Sequence, residues 1–271
     1  MDKETQIKLH SVLLELLDEF VRICNENNLT YFLAYGTLLG AVRHKGFIPW
    51  DDDVDVAMPR NDFEKFLDFF DDSYLTNYYV LSYRSQCKES KYSIQFAKFL
   101  KSGTIFAEID RPSDSYSGIF IDIFPFDNCI KIFYPLQAVL LKYSLNLFSI
   151  KAGIKIRRNK IKIFLGKIVC RFFSEKFINN LHRKLYLIFN NYKTKYIAFF
   201  SDDYGKKRET HKKDEIFPLV KVFFEGKHYF APKIYDKYLN TLYGNYMELP
   251  PIEKRHTHNP KFIIFNYENS I

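Results

Sequence analysis

The segment that ends at Met58 carries four acidic side chains within five residues, Asp51, Asp52, Asp53 and Asp55. Asp53 and Asp55 alternate with two valines, which is the two-residue period of a β-strand, so both carboxylates are expected on one face. Two carboxylates held side by side repel each other, which raises the pKa of at least one of them unless a divalent cation lies between them. The spacing therefore predicts a metal site, and magnesium with a nucleotide phosphate is the usual way to satisfy such a pair.

An acidic cluster beside a proline is more often a solvated turn than a binding site. Here the acids interleave with Val54, Val56 and Met58, which are residue types that belong in a core. Carboxylates at the end of a buried strand must be paired or bound to metal. We therefore favour the metal site over the solvated turn.

Gly36 and Thr37 lie between the apolar run 31–34 and the helix-forming residues 38–42. This order predicts a strand, a Gly-Thr turn and the start of a helix. Such a turn presents backbone N–H groups and a hydroxyl to an anion. The alternative is an ordinary turn glycine with no ligand.

The residues from Tyr31 to Met58 resemble the LicD/fukutin family of nucleotidyltransferase-fold phosphotransferases almost position by position. The segments 118–125 and 243–251 resemble the family too, and only the stretch from about 130 to 200 carries no motif of it. The resemblance implies a small mixed sheet with three carboxylates that bind Mg²⁺ or Mn²⁺. Carried over to this sequence, the three catalytic and metal-binding residues are Asp53, Asp55 and Asp122.

Asp122 also fits this role without the family. It lies in a short strand in which Ile119, Ile121 and Ile123 alternate with aromatic residues and the acid, so that the carboxylate shares a face with aromatic rings. The alternative is a carboxylate paired with a buried Arg or Lys.

The predicted phosphate-binding residues are Gly36, Thr37, Arg43, Lys45, Lys254 and Arg255. The first two would contact the donor phosphates through the turn, and the next two would supply positive charge from the following loop. The last two match a basic pair of the family, and a solvated basic tail is an equal alternative. Asp51 and Asp52 are expected outside the inner ligand set, and His44 is expected to be a surface histidine.

The resemblance implies an enzyme, a transferase of substituted phosphate groups. Members of the family move a phosphate-linked alcohol from a nucleotide donor to a sugar hydroxyl, and phosphocholine from CDP-choline is the best-known case. We therefore expect a CDP-alcohol donor, release of CMP, and a glycan or lipid-linked glycan acceptor of lipopolysaccharide or teichoic acid biosynthesis. These residues do not distinguish choline from ribitol, glycerol or a sugar phosphate.

Two other functions stay open. A nucleotidyltransferase that places NMP on a small molecule or an RNA end would share the three carboxylates. A basic nucleic-acid-binding module would account for the positive charge of the chain. We expect no nucleic acid partner, because the acids would repel a nucleic acid backbone in the absence of metal.

The positive charge is concentrated in one segment. Residues 131–200 contain fifteen basic residues and one acid, Glu175, which gives this segment a charge of +14 and leaves −6 for the rest of a chain whose net charge is +8. Basic and aromatic residues together predict helices that contact an anionic membrane surface. The alternative is a helical cap whose lysines face water.

The cysteines and the first residues predict the compartment. Cys24, Cys87, Cys129 and Cys170 are far apart and form no C-x-x-C motif, which is typical of reduced buried thiols. The polar residues 1–5 lead into a helix and do not form a signal peptide. We expect a cytoplasmic protein, peripheral at the inner face of the membrane.

The site must be positioned by an α+β fold, a nucleotidyltransferase-like mixed sheet flanked by helices, with a basic helical insertion and a C-terminal extension. The expected domains are a catalytic core at 1–130, a basic aromatic helical segment at 131–200, and strands and a helix at 201–271 that complete the catalytic domain. Further expectations are an amphipathic helix through 9–23, a helix capped by Asn61 or Asp62, strands at 78–83, 93–100 and 105–109 with the last two as a hairpin, a hairpin through 220–230, and a helix at 233–242 ended by Gly244.

Overall fold

The computed structural model describes residues 1–71, 77–82, 84, 96–108, 118–151, 160–200, 208–255, 257 and 260–266. The chain forms two compact units. The first comprises Met1–Ser85, Phe96–Pro125 and Asp214–Ile271, and the second comprises Gln86–Gln95 and Phe126–Lys213.

The elements of the described residues are as follows in chain order. The helices are α1 (Lys3–Glu26), α2 (Tyr35–Arg43), α3 (Arg60–Asp71), α4 (Tyr134–Lys151), α5 (Lys160–Phe172), α6 (Glu175–Leu187), α7 (Lys213–Ile216) and α8 (Tyr235–Tyr243). The strands are β1 (Phe32–Leu33), β2 (Asp55–Pro59), β3 (Tyr78–Leu81), β4 (Ala97–Lys101), β5 (Ile105–Phe106), β6 (Phe120–Cys129), β7 (Tyr196–Ala198), β8 (Thr210–Lys212), β9 (Val220–Phe224), β10 (Lys227–Ala231) and β11 (Ile263–Ile264).

The first unit contains the sheet that carries the acids, with strand order β1-β2-β6-β4-β3. The strands β2 and β6 are neighbours, so the acid-bearing strand lies beside the strand that contains Asp122. Helices flank this mixed sheet, and the predicted fold class is confirmed. The sheet therefore brings together residues that are far apart in the sequence.

Helix α1 forms as predicted because its apolar residues recur at three- and four-residue spacing. Leu9, Leu13 and Leu16 are among the side chains that it buries completely or almost completely in the core. At its start the Asp2 carboxylate accepts the backbone N–H of Thr5, which caps the first turn.

Two predictions about local structure are wrong. The strands β4 and β5 do not form a hairpin, because β4 pairs with β3 and β6, while β5 pairs with β11. The buried strand β4 has a neighbouring strand on each side. The Thr104 hydroxyl accepts the Ile119 N–H, which connects the chain after β4 to the start of β6. Helix α3 begins at Arg60, before the predicted cap, and the Asp62 carboxylate instead accepts the backbone N–H of Thr30.

The predictions for the C-terminal part of the first unit are confirmed. Strands β9 and β10 form a hairpin whose turn residues Glu225 and Gly226 both have positive φ, 46° and 82°. Helix α8 is followed by Gly244, whose φ of 72° suits glycine at a helix C-terminus.

The second unit contains the helices predicted for 131–200. Helix α4 is joined to α6 by hydrogen bonds from Gln137 to the Leu185 carbonyl and between Ser144 and His182. The sequence also makes a local strand possible through Ile154, Ile156, Ile161 and Ile163. Ile161 and Ile163 lie in helix α5 instead, and Ile154 and Ile156 lie outside the described residues. In the same unit β6 continues into a pairing with β7, which pairs with β8.

The cysteines Cys24, Cys129 and Cys170 are free and buried, as predicted, and Cys87 lies outside the described residues. Burial raises the pKa of the Cys129 thiol to about 12. This thiol is therefore protonated at neutral pH, and it is packed as a small apolar group.

Candidate active site

The three predicted carboxylates come together around Asp55. The prediction that Asp53 shares a strand with Asp55 is wrong, because β2 begins at Asp55 and Asp53 lies in the loop before it. Asp55 is the first residue of β2, Asp122 lies on β6, and both are buried. The Asp122 N–H donates to the Val54 carbonyl at 2.8 Å, which fixes the two strands beside each other at the acids. Burial raises the pKa of the Asp55 carboxyl well above its usual range, and Asp53, Asp122 and Asp51 raise it further. The repulsion that the sequence predicts is therefore present in the fold.

The cluster is larger than the predicted trio. Carboxylate oxygens of Asp51, Asp52 and Asp53 lie within 4.8 Å of one another. Asp51, which was expected outside the inner set, is also close enough to Asp55 to raise the pKa of its carboxyl. Spacing alone could not place Asp51, because it precedes the strand and its direction depends on the loop.

Gly36 lies against this cluster. Its N–H donates to the Asp55 carboxylate at 3.3 Å. A Cβ at this position would lie 3.1 Å from one carboxylate oxygen of Asp51 and 3.7 Å from one of Asp55. The glycine therefore keeps the space between these two carboxylates open.

Thr37 positions Asp55 rather than standing in a separate turn. Both Gly36 and Thr37 belong to the first turn of α2, so the predicted turn between strand and helix is wrong. The buried Thr37 hydroxyl accepts the Asp55 N–H at 2.8 Å. This bond ties the start of β2 to the start of α2, which fixes the backbone of Asp55.

The residue before Gly36 carries backbone strain. Tyr35 has a φ of 43°, in the left-handed region that is costly for a residue with a Cβ, by about 1–3 kcal/mol. Its buried ring packs edge-on against Phe124 and also contacts Tyr238. These aromatic contacts hold a conformation that lets the next N–H group reach Asp55.

Asp122 has a cationic partner that the sequence did not reveal. Buried Lys98 on β4 lies opposite Asp122 in the sheet, with its Nζ 3.4 Å from a carboxylate oxygen of Asp122 and 3.7 Å from one of Glu108. The ammonium also lies 3.0 Å from the centroid of the Phe120 ring. The alternative considered for Asp122, a pair with a buried lysine, is therefore present. Asp122 nevertheless also belongs to the carboxylate cluster around Asp55. A lysine within the apolar run 97–100 was the available signal.

Arg43 lies near Asp51, and Arg255 lies near Arg43. Burial lowers the pKa of Arg43, nearby Arg255 lowers it further, and nearby Asp51 opposes this effect. The Arg43 guanidinium donates to the Tyr246 carbonyl at 2.6 Å, which fixes it against the segment after α8. The guanidinium of Arg255 lies 4.1 Å from the centroid of the Trp50 ring, a cation–π contact.

The remaining basic residues are placed differently. Lys45 is exposed, and its carbonyl accepts the Glu225 N–H at 3.0 Å. The Glu225 carboxylate in turn accepts the Phe47 N–H, so the hairpin turn holds the loop that follows α2. Lys254 ends a short 3-10 helix, and its side chain lies outside the described part of the structure. Burial and then the neighbouring guanidinium of Arg43 lower the pKa of His44.

The carboxylates fit a hard divalent cation. Magnesium and manganese prefer oxygen ligands, and a cation placed among these side chains would remove the repulsion that acts on Asp55. The space that Gly36 keeps open between Asp51 and Asp55 supports the same interpretation. The donor set and the geometry are therefore those of a site that requires positive charge.

Comparison with known proteins agrees with this geometry. Residues 28–139 match the model of the LicD/FKTN/FKRP nucleotidyltransferase domain. The chain is 31% identical over 264 residues to the lipopolysaccharide cholinephosphotransferase LicD of Haemophilus influenzae, which covers 96% of this chain and 97% of that protein. Uncharacterized proteins of Rickettsia prowazekii and Rickettsia typhi are each 44% identical over 50 residues, 18% of this chain and 19% and 16% of theirs. The matched domain carries buried carboxylates on two neighbouring strands. Because the similarity to the Haemophilus influenzae protein also covers nearly the whole of both chains, this chain belongs to the LicD family.

Proposed function

We propose that this protein is a metal-dependent transferase that moves phosphocholine from CDP-choline to a hydroxyl group of a lipopolysaccharide-type glycan and releases CMP. The proposal is supported by the Haemophilus influenzae relative, which is named a lipopolysaccharide cholinephosphotransferase and is similar over 96% of this chain. The observation that carries it is the crowding of Asp55 by three other carboxylates at a buried position.

Asp53, Asp55 and Asp122 would hold Mg²⁺ or Mn²⁺, and Asp51 is close enough to join them. A divalent cation bound there supplies the charge that neutralises the oxygens of a donor diphosphate. The residues around the cluster keep this set in place. Gly36 and Thr37 fix Asp55 through its carboxylate and its backbone N–H, and Lys98 holds Asp122.

Two arginines of the chain would supply positive charge to the phosphates of the donor. Arg43 is held by backbone carbonyls, and Arg255 is stacked on Trp50, so both guanidinium groups are oriented before a donor binds. Guanidinium groups form strong hydrogen bonds with phosphate oxygens, and preorganised donors stabilise developing charge. We propose that these two arginines bind and orient the diphosphate.

The reaction is one displacement at phosphorus. The acceptor oxygen forms a bond to the phosphorus that bears choline, the phosphoanhydride bond breaks, and CMP leaves with the bonding electron pair. The proton of the acceptor hydroxyl passes to a carboxylate of the cluster. Positioning and charge neutralisation account for the catalysis, because phosphoryl transfer needs little covalent help from the protein.

The test supplies the protein with CDP-choline, Mg²⁺ and a lipopolysaccharide acceptor, and measures CMP release together with choline on the glycan. We expect both products in equal amounts and neither after chelation of the metal. CDP-ribitol, CDP-glycerol and nucleotide sugars under the same conditions identify the transferred group. Pyrophosphate release from a nucleoside triphosphate, without CMP from any CDP-alcohol, would instead establish the nucleotidyltransferase.

We also propose that the acceptor is a glycan precursor on a lipid carrier at the cytoplasmic face of the membrane. The charge of +14 on residues 131–200 supports this, because that face is anionic. Activity on free glycan equal to that on lipid-linked glycan would contradict it.

A further inference from the structure

Helix α4 in the second unit packs through a stripe that mixes the apolar residues Tyr134 and Leu141 with polar ones, and it exposes large apolar side chains elsewhere. Its packed stripe contains Gln137 and Ser144, whose side chains bond to the Leu185 carbonyl and to His182. Its opposite stripe is made of large apolar side chains that are exposed to solvent, Leu136, Val139, Leu140 and Tyr143. A helix stripe that only faces water is usually made of polar and charged residues.

Helix α5 also exposes large apolar side chains. It packs against the end of α4 through Gly166 and Cys170, since the Cys170 carbonyl accepts the Lys151 ammonium and a Cβ at Gly166 would overlap Ile150. The side chains on the face away from this contact are Phe164, Leu165, Ile168 and Phe172, and Phe172 is 76% exposed. We call the exposed apolar side chains of α4 and α5 together the outer apolar face.

The charge of these helices limits what can cover the outer apolar face. Lys142, Lys167 and Arg171 are exposed basic residues among the apolar ones, and residues 131–200 carry +14. A second copy of this segment would be repelled by the same charge. A nucleic acid would satisfy the lysines and arginines, but its phosphate backbone offers little to exposed leucine and phenylalanine.

An anionic lipid surface satisfies both features at once. Apolar and aromatic side chains enter the boundary between headgroups and acyl chains, while lysine and arginine attract acidic headgroups. In the described part of the chain, no helix combines the length and the hydropathy needed to cross a bilayer. The helices are therefore suited to lie in the plane of the interface.

We infer that the outer apolar face of α4 and α5 is a membrane-docking surface for anionic lipid. This inference names anionic lipid as the partner of the second unit, and it goes beyond the transfer reaction proposed above. Vesicle binding needs no donor, acceptor or metal, so failure of this inference can be distinguished from failure of the proposed function.

The test measures flotation of the full chain with vesicles of phosphatidylglycerol and phosphatidylcholine, and with vesicles of phosphatidylcholine alone. We expect flotation with the anionic vesicles, little with the neutral ones, and release by high salt. Phe164→Ser and Phe172→Ser should each weaken partitioning roughly tenfold, because each removes a large apolar side chain from the interface. The double variant Lys167→Glu, Arg171→Glu should weaken it roughly tenfold or more.

Ile252→Ser is the matched control, since this side chain is 74% exposed but lies in the first unit. It should float like the unaltered protein. Unchanged unfolding temperatures would show that every variant is folded. Equal flotation with both kinds of vesicle, or flotation with neither, would overturn the inference, and so would serine variants that bind like the unaltered chain.

Tryptophan fluorescence measures how deeply the outer apolar face enters the bilayer. Trp50 is the one tryptophan of the sequence and lies in the first unit, so the unaltered protein reports a residue outside the docking surface. Tryptophan introduced by Phe172→Trp should be quenched by brominated acyl chains in anionic vesicles. Absence of quenching in Phe172→Trp would show that the outer apolar face does not enter the interface.

Discussion

The first unit buries carboxylates, whereas helices α4 and α5 of the second unit expose phenylalanine and leucine. Asp55 and Asp122 are both less than 10% exposed, and Phe172 is 76% exposed. Each arrangement costs free energy in water, the first through desolvation and repulsion and the second through apolar hydration. In our proposals a divalent cation would remove the first cost and an anionic lipid surface would remove the second. Buried carboxylates in the first unit and exposed apolar side chains in the second therefore mark the places where we propose that ligands bind.

The first prediction tests the carboxylate cluster. Asp55→Asn should lower the rate of choline transfer by roughly a thousandfold or more, because an amide is a poor ligand for a divalent cation. The metal-free protein should unfold at the same or a higher temperature, because the change removes a charge that Asp51, Asp53 and Asp122 repel. CMP release and thermal unfolding measure the two effects.

Asp68→Asn is the control for this change. That carboxylate lies on α3, is exposed and pairs with Arg84, so its loss should leave transfer unchanged. Turnover of Asp55→Asn at the level of the unaltered protein would contradict the assignment of the cluster.

The second prediction concerns the buried cation. Lys98→Met should lower the free energy of unfolding by about 3–5 kcal/mol, because Asp122 and Glu108 lose a buried partner. Chemical denaturation measures the loss, and adding Asp122→Asn should recover part of it in a double-mutant cycle.

Lys101 serves as the matched control on the same strand. It pairs with Glu15 near the surface, so Lys101→Met should cost only about 0–1 kcal/mol. Equal costs at the two lysines would mean that the pair at Lys98 is no stronger than a surface ion pair.

The third prediction concerns the link between α2 and β2. Thr37→Val should lower the free energy of unfolding by about 1–3 kcal/mol, because it leaves the Asp55 N–H without its acceptor. Thr37→Ser should restore most of this stability and the transfer rate. If Val and Ser variants behave alike, the hydroxyl does not position Asp55.

Thr241→Val is the control for the loss of a hydroxyl. This threonine bonds to the Lys237 carbonyl on the surface of α8, so its replacement should have little effect.

The last prediction has the smallest effect and completes the comparison. Phe172→Ser should change the free energy of unfolding by no more than about 0.5 kcal/mol, because the side chain makes little contact in the folded protein. Phe66→Ala in the core of the first unit should cost about 3–5 kcal/mol. A large loss of stability in Phe172→Ser would show that the ring is needed for folding rather than for docking.

Several elements could be predicted because their signals are local. The periodicity of residues 9–23 gives α1, the Glu225-Gly226 turn gives the hairpin of β9 and β10, and Gly244 ends α8. The prediction of a hairpin between β4 and β5 was wrong because it relied on local signals alone. Two neighbouring strand patterns with a turn between them look like a hairpin in sequence, but β4 finds both its partners elsewhere in the sheet.

The sequence by itself determined that Asp55 leads into a strand of core residues and that basic helices form within residues 131–200. Alternation and periodicity encode such features within a few residues. Only the tertiary structure decided that Lys98 meets Asp122, that Arg43 reaches the Tyr246 carbonyl, and which stripe of α4 faces solvent. These contacts join residues separated by 24 to 203 positions, so they depend on strand register and helix packing, which no local pattern specifies.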